Sequence, residues 1–173
     1  IPRSGEYMLL DKLSGSLVSH TIFGVPSKEG KGILVTPTAH GNLLLGPTAT
    51  VVLTPDNNET TKDGLSVVER LAKKNVPSVN TRTVITSFCG VRASTKGGDF
   101  IIEESKKEKG FFHVAGIDSP GLTSCVAIAK YVTDLLKESG LELKENKNFN
   151  GFREDTRKFE KMTDSEKDEF IKK

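Results

Sequence analysis

The chain has 173 residues, enough for one domain with a sizeable core, or for one domain plus an appendage. It carries 25 Lys+Arg against 23 Asp+Glu and no Trp, so neither a net field nor a stacking platform directs it to nucleic acid. No apolar run approaches the ~20 residues that would span a bilayer. Cys89 and Cys125 are isolated in apolar surroundings, which reads as two buried, reduced thiols in a cytoplasmic protein.

In chain order, "EYMLLDKL" (6–13) and "VSHTIFGV" (18–25) are short segments rich in β-branched and aromatic residues, bounded by Gly, Ser and Pro, and they read as strands. "GILVTPTAHGNLLLGPTA" (32–49) is a hairpin, with Gly41 and Asn42 expected at the positive-φ positions of its turn. Leu65, Val68, Leu71 and Ala72 share one face of a helix over 65–75. "TRTVITSFCGVRAST" (81–95) reads as a strand, and 99–105 with 110–117 as a strand pair joined by the charged turn "KKEK". A helix then places Leu122, Cys125, Val126, Ala129, Val132, Leu135 and Leu136 on one stripe, with Gly140 as its C′ residue. Mostly consecutive strands and two main helices point to an α+β fold with a largely antiparallel sheet. Residues 1–140 form the domain. Residues 141–173, dense in charges of both signs, read as a solvated extension in which Thr163 and Glu166 fit a capping box.

Three stretches could carry chemistry. In "GIDSPGLTSCVAIA" a strand ends at Gly116, Pro120 and Gly121 reverse the chain, and a helix begins. The first-turn amides of a helix lack internal partners and its dipole adds positive potential, so an anionic oxygen is stabilised there. The alternative is an ordinary β–α connection capped by Ser119 or Asp118. In "SFCGVRAST" Arg92 stands where a strand emerges, suited to clamp a carboxylate or phosphate with two parallel hydrogen bonds, or to form a surface salt bridge. His40 lies at the hairpin tip, as a catalytic candidate or a solvated turn residue. His20 and His113 fall within strand patterns and read as packed residues. No His, Cys or carboxylate pair has metal-ligand spacing.

In their order and separations, "HGNLLLGPTA", "GVRAST" and "GIDSPGLTSCVAIA" resemble the C-terminal half of FAD-dependent oxidoreductases of the D-amino-acid-oxidase type. The similarity is to the glycerol-3-phosphate dehydrogenase-like and 2-hydroxyglutarate-oxidase-like branch, and it covers about residues 1–140; "PRSGEYMLL" resembles the segment re-entering the family's substrate domain. The resemblance implies that Gly116, Ile117, Ser119, Pro120, Gly121, Leu122 and Thr123 approach the flavin, where a helix N-terminus stabilises the charge of the reduced ring. It implies that Arg92 anchors a small anionic substrate, whose hydride passes to the flavin. The family's Pro after this Arg is replaced by Ala93. It assigns His40 no firm role, so that residue stands as a candidate only. The family's opening "GxGxxG" is not in this chain, which implies a missing N-terminal dinucleotide-binding part, upstream of Ile1 in the reading frame. The expectation is a fragment of a cytoplasmic or membrane-peripheral enzyme, unable to retain FAD or turn over alone. The branch leaves glycerol-3-phosphate dehydrogenase ahead of a 2-hydroxyglutarate or amino-acid oxidase. The rival from another class is a non-catalytic module binding a phosphorylated ligand.

Overall fold

The computed structural model describes residues 1–26, 32–152 and 159–172. Backbone contacts divide the chain into two compact units, Ile1–Ser139 and Gly140–Lys173.

The first unit is organised by β1 (Pro2–Leu10). Its residues alternate between two faces, as the period of a strand requires. Ser4, Glu6, Met8 and Leu10 are buried on the inner face, while Arg3, Gly5, Tyr7 and Leu9 stand on the outer one. One edge of β1 pairs antiparallel with β5 (Val84–Ala93) along nearly its whole length. The other edge pairs with β3 (Leu43–Gly46) through Met8, Leu9 and Leu10, and with the short β4 (Thr50–Val51) through Arg3 and Ser4. β2 (Leu34–Pro37) completes the sheet beyond β3.

β2 and β3 form the expected hairpin. Of the two expected turn residues, only Gly41 takes positive φ, at +84°. Asn42 does not; its amide side chain instead donates to the Leu10 carbonyl at 3.0 Å, fastening the turn to β1. Residues 18–25 are not a strand: among the described residues they contribute a single bridge, Ile22 to Val35. The apolar character of Leu17, Val18 and Ile22 is explained by packing against the core.

Helix α1 (Lys62–Asn75) crosses the inner face. Thr61 caps it by accepting from the Gly64 amide, with Asp63 in the first turn and Lys73 and Lys74 in the last, each sign at its favourable end of the dipole. Val68 and Ala72 close on Met8, Leu10, Ile33, Val35, Leu43, Leu45 and Val79. Leu65 and Leu71 are only partly buried at its margin. The inner face of β1 also carries Glu6, whose carboxylate accepts from the Thr61 amide at 2.7 Å and the Thr61 hydroxyl at 3.0 Å.

β6 (Ile101–Glu104) and β7 (Phe112–Ala115) pair in a separate two-stranded sheet. Helix α2 (Gly121–Glu138) follows, and Gly140 at φ +96° stands in its C′ position. Every strand pair is antiparallel, and the class is α+β, as expected. The thiols differ from expectation: Cys89 is half-buried and Cys125 is exposed on α2. His20 is exposed rather than packed.

In the second unit, helix α3 (Asp164–Ile171) starts at the expected capping box of Thr163 and Glu166. Phe170 leans on Phe159, their ring centroids 6.0 Å apart, and the Lys167 ammonium lies over the Phe159 ring.

Candidate active site

The outer face of β1 and β5 brings together residues far apart in the chain. Register places Arg3 opposite Arg92, Gly5 opposite Gly90 and Tyr7 opposite Phe88. The Tyr7 and Phe88 rings stack at 5.0 Å. The Arg92 guanidinium reaches back across β1. Its Nη2 donates to the Thr48 carbonyl at 2.7 Å and, more weakly, to the Ser4 carbonyl at 3.4 Å. Gly5 makes that path possible, because a Cβ there would sit 3.0 Å from Nη2 and 3.0 Å from the Pro47 side chain. A glycine inside a strand signals such a close approach, and "PRSGEY" held that signal unread. Two carbonyls thus fix one nitrogen of a five-donor fork, and the remaining donors stay available to an anion. Neither carbonyl bond is an ion pair, and among the described residues Arg92 forms no salt bridge.

Arg92 lines a cavity of about 1050 Å³. Ile1, Leu53 and Phe100 supply apolar wall, Lys96 a further cation, and Gly116 part of the far side. The cavity therefore joins Arg92 to the first residue of the strand–turn–helix motif. Ile117, Ser119, Pro120, Gly121, Leu122 and Thr123 continue from Gly116 but do not line it. His40 is exposed at the β2–β3 turn and is not a wall of the cavity.

The motif is fastened just past the end of the strand that carries Arg92. The Ser94 hydroxyl donates to the Asp118 carboxylate at 2.6 Å, and the Gly121 amide donates to the Asp118 carbonyl at 2.6 Å. Gly116 has φ +65°, and a Cβ on it would run into the Thr95 side chain. The N-cap residue is Pro120, and no side chain caps α2, so neither Ser119 nor Asp118 plays that part. The amides of Leu122 and Thr123 have no protein acceptor among the described residues. Such an end suits an external electronegative group.

Burial raises the Tyr7 phenol above its ordinary pKa, with the Arg92 charge opposing and Cys89 adding slightly to the rise. Burial likewise raises the Cys89 thiol, helped by the nearby Glu6 charge. Both groups are held protonated at neutral pH.

Residues 1–135 match the family model described as FAD dependent oxidoreductase. The chain belongs to that family. Within the FAD dependent oxidoreductases, it is 47% identical over 173 residues to a glycerol 3-phosphate dehydrogenase of Caloramator mitchellensis, covering 100% of this chain and 36% of that protein. It is 36% identical over 152 residues to a glycerol 3-phosphate oxidase of Mycoplasma genitalium, covering 86% of this chain and 38% of the relative. Among solved structures, the FAD-bound, dithionite-reduced L-alpha-glycerophosphate oxidase of Mycoplasma pneumoniae matches with TM-score 0.74 and 33% identity, over 87% of this chain and 39% of that one. Glycine oxidase of Geobacillus kaustophilus shares the fold, with TM-score 0.67 at 22% identity, over 83% of this chain and 36% of its own. The chain spans little more than a third of the length of the curated relatives it matches. Among its described residues, no helix is long and apolar enough to cross a membrane.

Proposed function

We propose that this chain is the substrate-binding part of an FAD-dependent dehydrogenase or oxidase that acts on glycerol 3-phosphate. The observation that carries the reading is the position of Arg92. Its guanidinium is braced by the Thr48 carbonyl, and the residue lines a cavity that also reaches Gly116, at the start of the turn into α2. A braced fork binds a substrate anion without first losing the freedom of a mobile side chain.

The turn fits FAD on its own geometry. The Leu122 and Thr123 amides are free of protein acceptors, and Gly116 and Gly121 take positions where a Cβ would collide with Thr95 and Ile117. Residues Gly116, Ile117, Ser119, Pro120, Gly121, Leu122 and Thr123 would hold the electronegative edge of the isoalloxazine. The chemistry that FAD supplies when bound is acceptance of a hydride from the substrate carbon. Arg92 would hold the phosphoryl end, so the carbinol carbon presents to one side of the cavity. The apolar walls would exclude water.

The rest of the cofactor site would come from a dinucleotide-binding part of the same protein. The apolar stripe on the first half of α2 supports this, since Leu122 is 91% and Val126 78% exposed. We place the full-length protein in the cytoplasm or at the membrane periphery, without a nucleic-acid partner.

In the full-length flavoprotein, Arg92→Ala should raise KM for glycerol 3-phosphate by at least about tenfold, the worth of a hydrogen bond to a charged group, while flavin absorbance shows the cofactor retained. An unchanged KM in flavin-loaded protein removes Arg92 from the site. In parallel, His40→Ala should lower kcat by about a hundredfold if this imidazole moves a proton in the reaction; unchanged kcat assigns that task elsewhere. Phosphate binding with no flavin in the full-length protein would favour the non-catalytic module instead.

A further inference from the structure

We propose that Asp118 is a positioning residue, whose bond to Ser94 registers the turn into α2 with the strand that carries Arg92. Substrate anion and flavin edge are thereby held at one fixed separation. The inference deepens the glycerol 3-phosphate reading and rests on it.

Arg92 and the turn are carried by different sheets. Arg92 belongs to β5 in the main sheet, whereas the turn follows β7, which pairs with β6. Among the described residues, no ladder of backbone hydrogen bonds joins the two sheets. Hydride transfer demands close and aligned reacting atoms, so other contacts must set the separation.

The contact that spans from one to the other is polar. Ser94, the residue after β5, donates its hydroxyl to the Asp118 carboxylate at 2.6 Å, 24 residues further along the chain. That length suits a hydroxyl donating to a charged oxygen, the stronger class of hydrogen bond. Asp118 in turn holds both ends of the turn. Its amide donates to the Gly116 carbonyl at 3.2 Å, and its carbonyl accepts from the Gly121 amide at 2.6 Å. Ser94 and Gly116 both line the cavity with Arg92. Beside the bond, Gly116 packs so near Thr95 that a Cβ could not be added.

What the carboxylate does not do is equally informative. An acid beside a helix start often caps it. Here α2 has no side-chain cap, and Asp118 is turned to Ser94 instead. The acid fixes where the helix end lies without occupying the amides that the flavin edge would use.

The test uses the full-length flavoprotein. Ser94→Ala removes the bond and leaves the Asp118 charge in place. It should lower kcat by at least about tenfold, because misaligned reactants transfer poorly. It should also lower the midpoint potential of the bound flavin, since displaced amides stabilise the reduced ring less. Inorganic phosphate affinity, by calorimetry, should stay within about twofold, as Thr48 still braces Arg92. Asp118→Ala should match Ser94→Ala, and the double variant should be no worse, since all three break one bond. Asp118→Asn, which keeps an acceptor oxygen, should recover most of kcat. Should one alanine variant not fold, the other breaks the same bond and decides. An unchanged kcat or potential in a folded alanine variant overturns the inference. So does a fall in phosphate affinity in Ser94→Ala, since Ser94 would then touch the anion itself. Equal losses in Asp118→Asn and Asp118→Ala overturn it too, making charge rather than the acceptor responsible. Arg92→Ala separates the two readings. Raised KM there, with Ser94→Ala inert, sinks this inference alone; unchanged KM there sinks the substrate reading beneath it.

Discussion

Tyr7 shows what the outer face does to a single side chain. Its ring is covered on one side by Phe88, and burial is the largest cause of its raised pKa. The folded state therefore holds the phenolic proton more tightly than the unfolded state, whose value lies at 10.0. Stability from this source is complete below pH 10 and is lost as pH rises through the folded value. Alkaline titration by tyrosinate absorbance should show one phenol ionising late, together with loss of the native signal. Tyr7→Phe should remove that step; an alkaline unfolding curve identical in the variant would deny Tyr7 the role. At this scale much was legible. "GVRAST" pointed to Arg92, and "GIDSPGLTSCVAIA" to an amide-lined turn. What holds Arg92 was not legible, because its acceptor is the backbone carbonyl of Thr48, 44 residues away, and a carbonyl has no sequence signature. The stripe containing Cys125 was read correctly as apolar, but a stripe does not say whether the surface that covers it lies within the same 173 residues.

Between elements, the contact that matters is Glu6 with the start of α1. A buried carboxylate there accepts from the Thr61 amide and hydroxyl while Thr61 caps the helix, so strand and helix share one polar knot. Its backbone amide donates in turn to the Thr48 hydroxyl at 3.0 Å. Glu6→Ala strips the Thr61 amide of its acceptor in a dry setting and should cost about 1–3 kcal/mol. Glu6→Gln, which keeps a carbonyl oxygen, should cost less. Urea unfolding of the flavoprotein and both variants measures this, and equal stability of Glu6→Ala would mean that water replaces the carboxylate. The helices and the hairpin were readable because each carries its own periodic stripe and its own stop. β4 was not, since two residues make no pattern. Residues 18–25 misled because β-branched and aromatic residues suit a packed loop as well as a strand.

For the whole molecule, the large exposed apolar side chains of α2, together with Leu53 and Ile101, mark surface that full-length protein would cover. The consequence is measurable in the 173-residue chain by itself. On the proposal that the turn into α2 is one end of the cofactor site, calorimetry on the 173-residue chain should show FAD binding weaker than micromolar, whereas the full-length protein should retain its flavin through purification. Submicromolar affinity in the short chain would mean that the turn and the β1–β5 face suffice.

The two-faced character of β1 sets how this protein can change. Within nine residues the even-numbered positions meet the core and α1, while the odd-numbered ones meet Arg92, Phe88 and open space. Drift in specificity and drift in robustness are thereby written in alternate letters of one word. On the proposed reading, substitutions at positions 3 and 7 act on the Arg92 face, while Gly5 is held by the close approach of Arg92 and the scaffold is guarded at 4, 6, 8 and 10. A one-residue insertion anywhere in that word would scramble both messages together.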